Sequence, residues 1–406
     1  MGNCYNSLNR RRHYLRIHPG LQGGPIYLDY NATTPVDPAV VDAMLPYLST
    51  HFGNPSSSHS YGHSAHRAID IAREEVAQLL HCLPGEIVFT AGGSESDNLA
   101  IRGVACHALA RRAKGTHIIT QITEHPAVLN TCRALERFHG FRVTYLPVDE
   151  AGRVRPADVE AAIEEQTVLV TIMYANNETG TIQPIGEIAQ IAHRHSVLMH
   201  SDAAQAVGKI PTRVDELDVD LLTVAGHKVY APKGIGALYV RQGLQLEPIV
   251  YGGGQEAGRR AGTENVAFSV ALGTACLLAS EQLAWSQKHL QQLRDRLHMR
   301  LEADLPGSVH LNGHRNERLP NTLNVSVERV SGEEVLAATP EIASSTGSAC
   351  HEGKTEPSAV LMAMGASRER ALGALRLTLG RWSSEEEVEQ AATLLARTIA
   401  TLRNKG

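Results

Sequence analysis

Apolar residues in this chain switch between two spacings. Ile69, Ala72, Val76 and Leu79 recur at the interval of one helix face, Pro84-Gly85 interrupts, and Ile87-Val88-Phe89 follows as a continuous apolar run. The pattern predicts a helix followed by a short buried strand. Similar runs return at 117–122, 142–146, 168–173, 197–200, 221–224 and 235–240. Helical stretches at 126–138, 156–165 and 184–195 lie between several of them, each opened by a proline suited to a first helical turn. Strands alternating with helices predict an α/β protein whose mostly parallel sheet is covered on both faces. After Thr263 the texture changes. A long helical pattern runs to about residue 305, strands are expected at 323–327 and 375–379, and a last amphipathic helix at 384–402. A change of domain is expected near residue 275.

Composition narrows the function classes. A chain of 406 residues fits roughly two domains. Hydrophobic residues at 43% and charged residues at 20% exclude wholesale disorder. A formal charge of −5 argues against a nucleic-acid binder that relies on a basic surface. The stretch 265–280 is broken by Ser269, Gly273 and Thr274 and falls short of the ~20 apolar residues of a membrane span, so no membrane partner is expected. Six cysteines without a CxxC pair suggest neither a disulfide framework nor a zinc site, and point to a reducing, cytoplasmic setting. The 20 histidines show no HExxH spacing, and no metal is expected. Arg10, Arg11, Arg12 and Arg16 precede the first acid, Asp29. That opening is read as an extension rather than an organellar presequence, because no amphipathic periodicity emerges.

The chemistry gathers at strand ends. Ala225-Gly226-His227-Lys228 follows the run 221–224 and puts a lysine where sheets of this kind bind ligands. An isolated lysine there is usually a solvated loop residue. Asp202, after the run 197–200, and Gln205 change that reading. An amine and a carboxylate on one rim suit a pyridine cofactor: the amine forms a Schiff base, and the carboxylate keeps the ring nitrogen protonated so that the ring accepts electrons. Ala91-Gly92-Gly93-Ser94-Glu95-Ser96 follows the run 87–89 as a phosphate cradle, with a helix expected from Glu95 turning its amides toward an anion. Glu124-His125 and Asn176-Asn177-Glu178-Thr179-Gly180 follow two further strands. A histidine at such a place can lie over a cofactor ring and move a proton near neutral pH.

The segments Tyr27–Pro35, Phe52–Ser57, Thr90–Asn98, Glu124–Pro126, Asn176–Gly180, Gly226–Lys228, Arg260–Asn265 and Ser345–Cys350 together resemble a cysteine desulfurase of the NifS/IscS type, within the class-V aminotransferase-like enzymes. The likeness runs from about Ile26 to the end. It implies the aminotransferase-like fold type I: a large domain on a mostly parallel seven-stranded sheet, 41–274, and a smaller α+β domain from 25–40 and 275–406, with a cysteine loop at 344–356 and an extension at 1–24. It also implies pyridoxal 5'-phosphate and a homodimer with sites at the subunit boundary.

By the same resemblance Lys228 is the Schiff-base lysine, Asp202 the partner of the pyridinium nitrogen, Gln205 the residue facing the phenolic oxygen, and His125 the ring-stacking, proton-moving histidine. Gly93, Ser94 and His227 correspond to the phosphate site, with Thr263 reaching the phosphate of the neighbouring subunit. Asn177 and Arg376 correspond to residues that hold the substrate carboxylate, which a guanidinium grips in a two-pronged, charge-assisted way.

Cys350 sits in a small, polar, glycine-flanked stretch, Ser344 to Lys354, the wrong composition for core packing. A free thiol is only about 3% thiolate at pH 7, so His351 and Lys354 are candidate activating charges. The resemblance implies conversion of L-cysteine to L-alanine, with a persulfide on Cys350 passed to an acceptor such as an iron–sulfur scaffold. Selenocysteine lyase, cysteine lyase and a non-catalytic partner-binding subunit are the alternatives. Three features depart from the family pattern. Ala225 stands where a phosphate-touching serine is usual, residues 332–341 are short for the helix and strand expected there, and Cys4 with the Arg-rich leader has no counterpart.

Overall fold

The computed structural model describes residues 17–111, 115–347 and 356–404. Twelve strands occur among these residues: β1 (Ile26–Tyr27), β2 (Ile87–Thr90), β3 (His117–Gln121), β4 (Arg142–Leu146), β5 (Thr167–Thr171), β6 (Leu198–Asp202), β7 (Leu221–Ala225), β8 (Gly236–Val240), β9 (Val309–Leu311), β10 (Thr322–Val327), β11 (Ile342–Ala343) and β12 (Ala374–Thr378). Seven build the large sheet in the order β2-β8-β7-β6-β5-β3-β4, in which β8 alone runs against the others. Alternation along the strands divides the core. Ile119, Val170 and Leu222 pack on one face of the sheet, while their chain neighbours Ile118, Leu169 and Leu221 pack on the other. Helices on both faces take up these side chains, which is why the strands read as unbroken apolar runs.

The second core is a three-stranded antiparallel sheet, β12-β10-β9, with Leu290, Leu297, Val325, Leu377 and Leu395 at its centre. The helix Val266–Asp304 belongs to both: Ala271, Leu272 and Cys276 lie in the first core, Leu290 to Leu301 in the second. This helix is long and apolar enough to cross a bilayer by length and composition, which the shorter stretch 265–280 had not suggested. Its apolar turns are instead covered by the helix Ser60–Leu80, and over half of that stretch is buried. Gly273 permits this approach, since a Cβ there would lie 2.6 Å from Ala72 Cα.

Three local expectations need correction. The helix expected at 156–165 ends at Ala162, because Thr167 Oγ1 takes the Glu164 N–H and Thr167 N donates to Glu164 O, turning the chain into β5. Pro184 is the N-cap of the helix Ile185–Arg194, not its first turn, with ψ at 62°. The helix expected from Glu95 starts two residues earlier, at Gly93. In the segment 332–341 a short helix, Gly332–Ala337, ends before Pro340 intervenes, and β11 follows to pair parallel with β1.

Candidate active site

The parallel strands deliver their C-terminal ends to one edge of the sheet, so the loops after β2, β3, β5, β6 and β7 meet there. They enclose a cavity of about 680 Å³, the size of a small-molecule site. Gly93, Ser94, His125, Asn177, Asp202, Gln205, His227, Lys228 and Arg376 all line it. Arg376 comes from β12 of the smaller sheet, so the cavity lies between the two cores. Thr263 does not line it: this residue is solvent-exposed on the loop before the long helix. Cys350, His351 and Lys354 lie outside the described residues.

Lys228 closes a 3-10 turn directly after β7, which drives its side chain into the cavity. Its Nζ donates to Asn31 O at 2.5 Å and Ala32 O at 2.7 Å. Burial lowers its pKa from 10.5 to about 8, helped by the Arg376 charge and opposed by Asp202 and Asp29. Asp202 is the last residue of β6 and is buried, with Oδ1 accepting the Ala204 N–H at 2.8 Å. Burial raises its pKa, while that hydrogen bond, His125 and Lys228 pull the other way.

His125 is both a cavity wall and a helix cap. Its Nδ1 accepts the Ala127 N–H at 3.1 Å at the start of the helix Pro126–His139. An accepting Nδ1 assigns the proton of the neutral ring to Nε2. Burial lowers the pKa of this imidazole, the nearby Asp202 opposes the shift, and Lys228 reinforces it. Arg376 pairs with Asp29 at 2.9 Å and donates to Asn177 O at 3.3 Å, while its buried Nε has no hydrogen-bond partner among the described residues.

At the other end of the cavity the helix Gly93–Ala110 begins without a side-chain cap. Gly92 precedes it with φ at +148°, a conformation glycine adopts freely. Uncapped N–H groups, the helix dipole, Ser94 and His227 make an anion cradle. His227 is held by Thr33 Oγ1 at 3.1 Å, and burial, followed by the Lys228 charge, lowers its pKa to about 4. It therefore meets an anion as a neutral donor. Ala225 lines the same cradle and supplies no hydroxyl.

A group with an anionic tail, a reactive carbonyl and a basic ring nitrogen fits these residues: the cradle takes the first, Lys228 the second and buried Asp202 the third. Three residues of the site carried no assigned role in the sequence. Asn31 is the hub of a buried network, with Nδ2 donating to Thr322 Oγ1 at 2.9 Å and Oδ1 accepting from Asn321 at 3.1 Å. Asp97 and Glu124 lie buried beside Asp202, and Asp97 Oδ1 and Glu124 Oε2 have no hydrogen-bond partner among the described residues. Burial holds Asp97 well above the usual carboxylate range and Glu124 at about 8. Carboxylates inside short polar motifs could have signalled them, but their depth is a tertiary property.

The family model described as aminotransferase class-V matches residues 26–391. A protein named cysteine desulfurase IscS, from Methanosarcina thermophila, is 48% identical over 381 residues, covering 93% of each chain. Among solved structures, a NifS-like protein aligns over 93% of this chain and 100% of its own, with a TM-score of 0.86 and 37% identity. A structure titled SspA in complex with cysteine aligns over 88% of this chain and 99% of its own, with a TM-score of 0.78 and 40% identity. The class-V cysteine desulfurases are pyridoxal-phosphate enzymes. With its lysine, buried aspartate and anion cradle on one rim, this chain belongs to the class-V aminotransferase family.

Proposed function

We propose that the protein is a cysteine desulfurase, taking sulfur from L-cysteine, releasing L-alanine and holding the sulfur as a persulfide on Cys350. The carrying observation is that Lys228 and Asp202 face one cavity from strand ends β7 and β6, with Arg376 opposite. Pyridoxal phosphate, when bound, supplies an electron sink for the charge that develops at the substrate α-carbon. Lys228, Asp202, Gln205, His227, Ser94 and Gly93 would hold it.

Each side chain then has a task that its surroundings support. Arg376, with its partnerless Nε, receives the substrate carboxylate beside Asn177. An amine with a pKa of about 8 is partly neutral near pH 7, so Lys228 Nζ can take the α-proton. His125 can give up a proton from Nε2, because Nδ1 accepts the Ala127 N–H and leaves Nε2 the protonated nitrogen of the neutral ring. The thiolate of Cys350 attacks the substrate sulfur. The carbon–sulfur bond breaks with its electron pair left on carbon, a sulfur–sulfur bond forms, and a proton completes alanine.

Ser345 bridges to Arg376, whose N–H donates to Ser345 O at 2.7 Å. Cys82, Cys106, Cys132 and Cys276 are unpaired thiols, and burial raises the pKa of Cys82, Cys132 and Cys276, which favours Cys350 as the reactive one. Unpaired thiols also agree with a cytoplasmic setting. Phe52 and Tyr61, 70% and 59% exposed, stack at 5.5 Å on the surface, and Thr263 is exposed as well. An exposed aromatic pair supports a homodimer that covers it, with Thr263 serving the other copy. The sulfur acceptor is an iron–sulfur scaffold or another sulfur-carrying protein.

The test is incubation of the pyridoxal-phosphate-loaded protein with L-cysteine, followed by alanine assay and mass spectrometry. Stoichiometric alanine and a gain of about 32 Da confined to the Cys350 peptide are expected. Alanine release that persists undiminished in Cys350→Ala would refute the persulfide mechanism.

A further inference from the structure

Gln205 carries an amide whose two ends share one outline and act oppositely, since oxygen accepts and nitrogen donates. Its Oε1 accepts from Lys209 Nζ at 2.8 Å, and its Nε2 donates to Asn31 O at 3.0 Å. Lys209 Nζ also donates to Gln205 O at 3.1 Å, closing a ring within one turn of chain. The second N–H of Nε2 is left for the active-site cavity, which Gln205 lines and Lys209 does not. Lys209 is buried, and its Nζ donates to Gln205 O and Oε1 rather than to an acid. Burial also holds its pKa well below the usual value, with the Lys228 charge adding to the effect.

A buried amine without an acid partner costs stability, so a specific role explains it better than packing does. We propose that Lys209 is a positioning residue, locking the Gln205 amide so that an N–H, and not the carbonyl, faces the phenolic oxygen of the cofactor. The inference rests on the cofactor reading above. Turning the amide over would set Oε1 against Asn31 O, an acceptor on an acceptor, and would take from Lys209 Nζ the carbonyl oxygen it donates to. Asn31 O also receives Lys228 Nζ at 2.5 Å, so one carbonyl is shared by Gln205 and the lysine that reacts. Asn31 O resists the flip from one side only. Without Lys209 the amide loses its second constraint. A donor to the phenolic oxygen stabilises its anion and weakens its hold on the proton shared with the lysine-bound nitrogen. The visible band of the loaded protein therefore titrates at lower pH while the donor is in place.

The experiment is a pH titration of that band in the loaded protein, with thermal melting in parallel. Lys209→Met is expected to raise the midpoint by about 0.5 to 1 pH unit, the scale of one hydrogen bond. Gln205→Leu should raise it similarly, and the double variant should add nothing further. Lys209→Gln, which keeps a donor and drops the charge, should stay near wild type. Lys209→Ala is the second donor-free variant if the methionine protein does not fold. An unmoved midpoint with a lowered Tm would make Lys209 a packing residue and overturn the proposal. Additive shifts in the double variant, or a Lys209→Gln shift equal to that of Lys209→Met, would overturn it too. If wild type shows no visible band after loading, the cofactor reading fails and takes the inference with it; a band that no variant moves sinks the inference alone.

Discussion

Replacing Arg376 with leucine tests how the fold sets the charge of Lys228. An amine moved from 10.5 to about 8 has lost about 3 kcal/mol of preference for its charged form, at about 1.4 kcal/mol per pH unit. Desolvation is the largest cause and Arg376 the next, so Arg376 contributes less than burial does. Losing the guanidinium also frees Asp29 Oδ1 from its 2.9 Å ion pair, and Asp29 favours the charged amine. Both effects raise the pKa, by about one unit together. At pH 7 the neutral fraction of Lys228 then falls from about 9% to about 1%, roughly a tenfold loss. The assay is rapid mixing of cofactor-free protein with pyridoxal phosphate across pH, following the visible band. Arg376→Leu should bind more slowly at pH 7, and the inflection of its rate profile should move upward. Asp29→Asn removes a charge of the other sign and should move the inflection downward. Equal profiles for all three proteins would show that neither charge acts on Lys228, and the electrostatic account of the amine would be wrong.

Further outcomes follow from the buried acids, an ion pair and the cradle. Glu124 has a folded pKa raised to about 8, so the native state binds a proton that the unfolded chain releases near 4.5. Stability therefore falls as pH rises between those values. Glu124→Gln, which keeps an acceptor for Met173 N and fills the partnerless position with NH2, should flatten that slope in urea melts of the cofactor-free protein; a retained slope would refute the assignment. Asp37 and Arg381 form a buried ion pair, with the guanidinium 4.2 Å from the Tyr230 ring centroid. Asp37→Ala should cost about 3 to 5 kcal/mol in chemical denaturation, and a loss below about 1 kcal/mol would mean the pair is solvated. Ala225→Ser restores a hydroxyl to the anion cradle and should slow cofactor loss about fivefold, the effect of one hydrogen bond. Unchanged dialysis kinetics would place that hydroxyl out of reach.

The chain itself determined which segments are strands and that they are buried on both sides, because adjacent apolar residues such as Ile118 and Ile119, or Leu221 and Leu222, must each find a core. It also put glycine, lysine, aspartate and histidine at strand ends, and parallel strands bring such ends to one edge. Other features could not be read along the chain. The reversal of β8 is a choice of neighbours, and the early end of the helix at Ala162 depends on a hydroxyl in the next strand. Depth was equally hidden. Nothing local marks Asp97, Glu124 and Lys209 as buried charges, because burial is conferred by residues distant in sequence. Asn31 became a hub only when Thr322 and Asn321, some 290 residues away, closed over it. Residue types and their order set what chemistry is present; three-dimensional packing set the distances, the desolvation and therefore the protonation states on which that chemistry depends.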